Sequence, residues 1–319
     1  MSDDILFLSG DRVTRLLSWD AAIASQRAAF EALGTSGVDA PGKIMHPSRF
    51  DDSVMFAYLS RLSADTGAVA KIGSVNPGNA SAGLPTVHAL VTALAPETGR
   101  PVAVLDGTAL TTLRTAAGSA VAVDLLAPPG GADLAVLGSG TQALAHVRAL
   151  ARVRDLKSVR LWSPTARNRE RAADTLTAEL GLTVEPVGSA EEAVREASLV
   201  VACTLSTTPV VHGAWLAPGC TVVSVGSFEP NRCEADAEVL LRAAAVVVDD
   251  PETAAHHAGP IVAAGLKPDD LIPLGGVVTG ARTARTGPGD IVYYNSVGLG
   301  VQDAAAAWAV IRAAREADR

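Results

Sequence analysis

Cysteine is scarce in this chain: three residues, Cys203, Cys220 and Cys233, none of them in a CxxC pair. That set argues against a disulfide framework and a thiolate zinc site, and it fits reduced thiols in a cytoplasmic protein. No apolar run reaches the roughly 18 residues that a membrane span needs. The opening MSDDILFLSG is acidic where a secretory leader would be basic. No Lys/Arg run or basic stripe is present and the net charge is −8, which argues against nucleic acid as a partner. Aromatic residues are only 4% of the chain. What is abundant is Ala, Val and Leu, within a hydrophobic share of 48% over 319 residues. That is an α/β composition with ample core, enough for one large domain or two ordinary ones.

The first half reads as a helix followed by strands. Ser18 can cap "WDAAIASQRAAFEALG", whose apolar residues recur at helical spacing until Gly34. "SVMFAYLSR" and "GAVAKIGSV" read as strands, and "HALVTALAPETGRPVAVLDG" as a hairpin about Pro96–Gly99. "LTTLRTAAGSAVAVDLLAP" is a helix stopped by the cluster Pro128-Pro129-Gly130-Gly131. Beyond it, short β-branched strands ("DLAVLG", "SVRLWS", "LVVACT", "TVVSVG", "AAVVVDD") alternate with helices. That alternation predicts a doubly wound parallel sheet of Rossmann type. A final helix, "GVQDAAAAWAVIRAAREA", closes the chain, and Asp303 is read as serving that helix.

"AVLGSGTQALAH" places Gly138, Ser139, Gly140, Thr141 and Gln142 between a strand and a helix. A glycine pair in that context is a dinucleotide turn: Gly138 permits the bend, and Gly140 lets the backbone approach a pyrophosphate at the helix N-terminus. Ala143 replaces only the packing glycine of the fingerprint. At the end of the next strand an NAD site wants an acid for the ribose 2′-hydroxyl, and Ser163 stands there. Thr165, Arg167 and Arg169 follow, as a 2′-phosphate would require. The cofactor expected is NADP(H), with NAD(H) as the alternative. Thr204, Leu205 and Ser206 end one strand and line the adenosine side. Thr86, with Val225 and Gly226 at another strand end, completes the expected cofactor contacts.

Three cations stand in apolar company: Lys43 in "APGKIMHP", Lys71 in "AVAKIGS" and Arg114 in "LTTLRTAAGSA". Beside a nicotinamide site they suggest a pocket for a carboxylate. His88 is a further candidate proton source, read as core or as lying behind the site. His256 and His257 have no third ligand within sequence reach, so no metal site is expected.

These segments, "AKIGSVNPGNASAGLPTVHALVTALAPETGRPVAVLDGTALTTLRTAAGSA", "GSGTQA" and "YYNSVGLGVQDAAAA", resemble the ornithine cyclodeaminase/μ-crystallin family over nearly the whole chain. The resemblance implies that Lys43, Lys71 and Arg114 clamp a substrate α-carboxylate, with Val297 and Gly298 near the nicotinamide. Lys43 departs from the arginine usual at its place and loses a bidentate fork. The resemblance also implies a dinucleotide domain over residues 125–299. A second α/β domain, over 1–124 with 300–319, would bind substrate and form a homodimer.

One departure bears on the reaction. Cyclodeaminases carry an aspartate base after the strand that reads "TVVSVG" here. In this chain "GSFEPNRCEAD" puts Phe228 in its place, where it is expected to touch substrate, with Glu229 beside it. The family's ketimine reductases and μ-crystallin lack that aspartate too. The function expected is therefore NAD(P)H-dependent reduction of an imino acid, such as a cyclic ketimine carboxylate, or a related amino-acid dehydrogenation. Lys71 and Arg114 would be its catalytic residues. Two alternatives stand beside it: ornithine cyclodeamination, and a non-catalytic NADPH-dependent binder of small ligands.

Overall fold

The computed structural model describes residues 4–317. The chain divides into two compact units. One comprises the residues up to Thr115 together with those from Leu299 on, and the other runs from Ala116 to Gly298.

The first unit is built on six strands: β1 (Leu6–Leu8), β2 (Ile44–Pro47), β3 (Val54–Ser60), β4 (Val69–Val75), β5 (Val87–Leu94) and β6 (Pro101–Asp106). They are ordered β1-β6-β5-β4-β3-β2, antiparallel except for β1 beside β6. Helices α1 (Gly10–Leu16), α2 (Trp19–Gly34) and α3 (Gly107–Leu126) accompany them, and the boundary between the units falls within α3. Ser18 caps α2 as its sequence predicts, its side chain accepting from the Ala21 N–H at 3.2 Å.

Strand alternation gives this sheet two unlike faces. Lys71 pairs with Tyr58 and Val91, and Val91 with Leu105, so these share the inner face. Leu90 pairs with Ile72, which pairs with Ala57, which pairs with Ile44; this row lies on the outer face. The C-terminal helix, Gly300–Ala317, packs on α2, β3, β4 and β5. Small residues let it come close: Ala29, Val301 and Ala305 pack together, and a Cβ on Gly300 would meet Ser60 Oγ at 3.2 Å. Two long-range hydrogen bonds fix it, Gln26 Nε2 to the Gln302 carbonyl at 3.1 Å and Trp308 Nε1 to the Gly67 carbonyl at 3.1 Å.

The second unit holds β7 (Ala132–Leu137), α4 (Thr141–Leu150), β8 (Leu156–Trp162), α5 (Ala166–Leu180), β9 (Val184–Pro186), β10 (Leu199–Ala202), β11 (Thr221–Ser224), β12 (Ala243–Val248), β13 (Ile272–Pro273) and β14 (Ile291–Asn295), with short helices between the later strands. All eight strands are parallel, in the order β13-β12-β14-β11-β10-β7-β8-β9. The chain reverses its direction of winding between β7 and β10, where doubly wound sheets bind their ligands. β10, β11 and β14 are buried at every position, as befits strands covered on both faces. The α/β class and the parallel sheet agree with the alternation in the sequence. β14 was not anticipated; "IVYYN" is a five-residue run with no period-2 alternation, and it sits between β11 and β12.

Candidate active site

The glycine turn follows β7 at the point of reversal. Gly138 has φ +123°, and a Cβ there would lie 2.6 Å from the Cys203 carbonyl oxygen. Only glycine fits both demands. Its N–H donates to the Trp162 carbonyl at 2.8 Å, tying the turn to the end of β8. Gly140 caps α4 with an ordinary φ of −86°, and a Cβ there would meet no protein atom within 4 Å. The protein itself does not require glycine at that position, which leaves the helix N-terminus open to approach from outside the chain. Gln142 Oε1 is a buried acceptor with no hydrogen-bond partner in the protein. A bare glycine at a helix N-terminus fits a dinucleotide phosphate, and the unspent Gln142 acceptor fits a donor such as a ribose hydroxyl.

Ser163 is buried after β8, and its carbonyl accepts from Arg169 Nη1 at 3.1 Å. Thr165 is the N-cap of α5 yet makes no side-chain capping bond. The first turn of α5 carries no acid; Arg167 stands there instead, exposed. A basic first turn opposes the helix dipole unless an anion occupies the place.

Two carboxylates that the sequence did not single out hold the loops at this end of the sheet. Glu234 is fully buried and accepts from the Thr204 N–H and hydroxyl, the Ser224 hydroxyl, and the Val225 and Gly226 N–H groups. Burial pushes its pKa up against the pull of those donors. It thereby joins the two loops that carry Thr204, Leu205 and Ser206 on one side and Val225 and Gly226 on the other. The loops touch so closely that a Cβ on Gly226 would lie 1.7 Å from the Thr204 carbonyl oxygen. Asp249 does the same for "NSVG": it accepts from the Tyr294 and Ser296 hydroxyls and the N–H groups of Val297 and Gly298. Both acids lie in polar or strand-end segments that read as solvated in the sequence.

Phe228 is partly buried, with the Arg232 guanidinium 5.1 Å from its ring centroid. Glu229 is paired with Arg232 at 2.7 Å. The carboxylate next to Phe228 is thus spent on a neighbour three residues away.

The first unit holds the cations. Lys71 Nζ lies 2.7 Å from Asp303 Oδ2, and Arg114 Nε lies 3.0 Å from Asp303 Oδ1. All three side chains are buried, Asp303 at 1% exposure. Arg114 Nη1 reaches Gln302 Oε1 at 3.5 Å. Lys71 also faces Thr111 Oγ1 at 3.5 Å and the Tyr58 ring at 4.6 Å. Burial lowers the Lys71 pKa to about 8; Asp303 opposes the fall, and the charges of Arg114 and Lys43 add to it. Lys43, one residue before β2, is within electrostatic reach of Lys71, while Lys71 and Arg114 share the Asp303 carboxylate.

A model of the ornithine cyclodeaminase/mu-crystallin family matches residues 4–318. The chain belongs to that family. It is 32% identical over 310 residues to a ketimine reductase mu-crystallin of Rattus norvegicus, covering 94% of this chain and 95% of that one. Among solved structures, the Thermococcus litoralis Delta(1)-pyrroline-2-carboxylate reductase with NADH and L-proline superposes with TM-score 0.95, 27% identity and 98% of each chain covered. An archaeal alanine dehydrogenase dimer with bound NAD superposes with TM-score 0.90 at 32% identity, covering 99% of this chain and 97% of that one.

Within this family member the expected site residues are distributed over both units. Lys43, Lys71, Arg114 and Thr86 lie in the first, the last just before β5; the glycine turn, Ser163 with its neighbours, Thr204–Ser206, Val225–Gly226, Phe228 and Val297–Gly298 lie in the second. Two readings change. Asp303, expected to serve the last helix, is instead the shared counter-ion of Lys71 and Arg114. His88 is neither core nor behind the site: it is exposed and pairs with Ser74 on the outer face of the sheet, opposite to Lys71.

Proposed function

We propose that this protein reduces the C=N bond of an imino acid, with a cyclic ketimine carboxylate as the substrate class and NADPH as the preferred reductant. The observation that carries the reading is the buried cluster of Lys71, Arg114 and Asp303 with Lys43 at hand. Lys71 and Arg114 share the one carboxylate of Asp303, which leaves positive charge that a substrate carboxylate balances. Arg114 spends Nε and Nη1 within the chain, which leaves Nη2 for that carboxylate. Lys43 adds a point charge. The Lys71 ammonium is the acid that protonates the imine nitrogen, and solvent returns its proton after each turnover. A bound reduced nicotinamide supplies the hydride for the imine carbon. The glycine turn, with Glu234 and Asp249 behind its neighbouring loops, gives that cofactor a rigid seat.

Cyclodeamination needs a base to free a terminal amine, and no carboxylate is available at that point. Phe228 has none, and Glu229 is paired with Arg232. The rat relative and the Thermococcus structure carry imine-reductase names, which supports the same reading. NADPH preference is supported by buried Ser163, uncommitted Thr165 and exposed Arg167, with no acid in the first turn of α5. A homodimer is supported by the outer face of the six-stranded sheet, where Phe7, Ile44, Met55, Leu59, Ile72 and Leu90 are all exposed. No helix among the described residues is long and apolar enough to cross a membrane, and a cytoplasmic site accords with three free thiols. Following NADPH oxidation with a cyclic imine carboxylate tests the reading; no turnover with any imino acid would overturn it.

A further inference from the structure

Asp303 has more to do than cancel charge. It sits on the first turn of the C-terminal helix, which Gln26 and Trp308 fix by hydrogen bonds. Its two oxygens are divided, Oδ2 to Lys71 and Oδ1 to Arg114. Burying such a cluster strips water from every ion, and a well-packed apolar set is often as stable. The geometry points to Asp303 as the positioning residue of the clamp: it aims the Lys71 ammonium and the Arg114 guanidinium together, and it keeps Lys71 protonated among like charges.

The groups facing Lys71 come from four segments. Asp303 comes from the C-terminal helix, Arg114 and Thr111 from α3, Tyr58 and Phe56 from β3, and Lys43 from the residue before β2. Two of these are cations, and only Asp303 is a carboxylate. Burial and both cations favour the neutral amine; Asp303 alone among the charged groups favours the ammonium. Without it, the remaining influences shift Lys71 towards the neutral amine, which has no proton to give. The aromatic rings offer a weaker pull on the cation and no proton.

This role rests on the imine-reductase reading for its purpose, but its test does not depend on turnover. The chain has four lysines, Lys43, Lys71, Lys157 and Lys267. Selective ¹³Cε labelling therefore gives a lysine spectrum simple enough to assign by single replacements. In the wild-type protein the Lys71 signal should titrate near pH 8. Asp303→Asn, nearly isosteric and neutral, should move that midpoint down by a pH unit or more and leave Lys157 and Lys267 in place. Asp303→Glu should restore most of the shift. Arg114→Gln should move it up, because one repelling cation is gone and the carboxylate serves Lys71 alone. Asp303→Ser, smaller and neutral, carries the test with the same downward shift expected if Asp303→Asn does not fold.

With a cyclic imine carboxylate and NADPH, the alkaline limb of kcat/KM should move down with the Lys71 midpoint in Asp303→Asn. NADPH affinity should stay unchanged. A Lys71 midpoint that stays put in both folded variants overturns the proposal, as does a fall in kcat/KM with no movement of the limb. A shifted midpoint in a protein that reduces no imine would leave Asp303 as the positioning residue and reject the reductase reading instead.

Discussion

Replacing Arg114 with alanine removes the one fork-shaped cation from the clamp. The loss has two parts. Nη2 no longer meets the substrate carboxylate, and a charge-assisted hydrogen bond to a buried group is worth about 1.5–3 kcal/mol. Asp303 also loses its 3.0 Å partner and turns wholly to Lys71, which moves the proton donor off its aim. Together these should cost about 2–4 kcal/mol in transition-state binding, or roughly 30- to 1000-fold in kcat/KM. Asp303 keeps Lys71 at 2.7 Å, so no buried charge is left uncompensated and the protein should fold. Arg114→Lys keeps the charge but loses the fork, and should fall between. Lys43→Ala removes only a point charge and should cost less than Arg114→Ala. The assay is NADPH oxidation with a cyclic imine carboxylate, with cofactor affinity from fluorescence as the control. A folded Arg114→Ala protein with normal NADPH affinity and normal kcat/KM would place the substrate elsewhere.

Reduction should fade as pH rises through about 8, because Lys71 must carry its proton, while oxidation of the amino acid should rise through the same range; a reduction profile flat through pH 8 would remove Lys71 as the acid. Gly138→Ala should destabilise the fold by about 1–3 kcal/mol, since alanine must sit at φ +123° against the Cys203 carbonyl. Gly140→Ala should leave Tm nearly unchanged and weaken NADPH, because its Cβ meets no protein atom. Equal losses of Tm in the two variants would contradict the division of roles. NADPH should bind more tightly than NADH, and Ser163→Asp should reverse the order by repelling a 2′-phosphate; equal affinities in wild type would refute the assignment.

The parallel half of the fold could be read from the sequence because its strands are short, β-branched and separated by helices, and because a glycine pair stood between one strand and one helix. β14 escaped because five buried residues in succession show no alternation, and "RTGPGD" before them reads as loop. The clamp cations were visible as charges in apolar segments. Their counter-ion was not: an acid in the first turn of a helix is the ordinary answer to the helix dipole, so Asp303 carried no signal of its own. Glu234 and Asp249 were hidden for a similar reason. An acid in a polar loop looks solvated until the fold turns five backbone and hydroxyl donors towards it. Burial of a carboxylate depends on tertiary placement, which no local pattern encodes.

The most direct measurement compares two reactions of the same protein. One sample receives L-ornithine and NAD⁺, the other a cyclic imine carboxylate and NADPH, with products identified by mass spectrometry and ammonia measured in the first. Phe228 offers no base for ring closure, and general-base help is worth roughly 10²–10⁴-fold. The first sample should therefore form little proline and little ammonia, and the second should form the cyclic amino acid as NADPH is consumed. Efficient conversion of ornithine to proline would contradict the account and make Glu229, released from Arg232, the base.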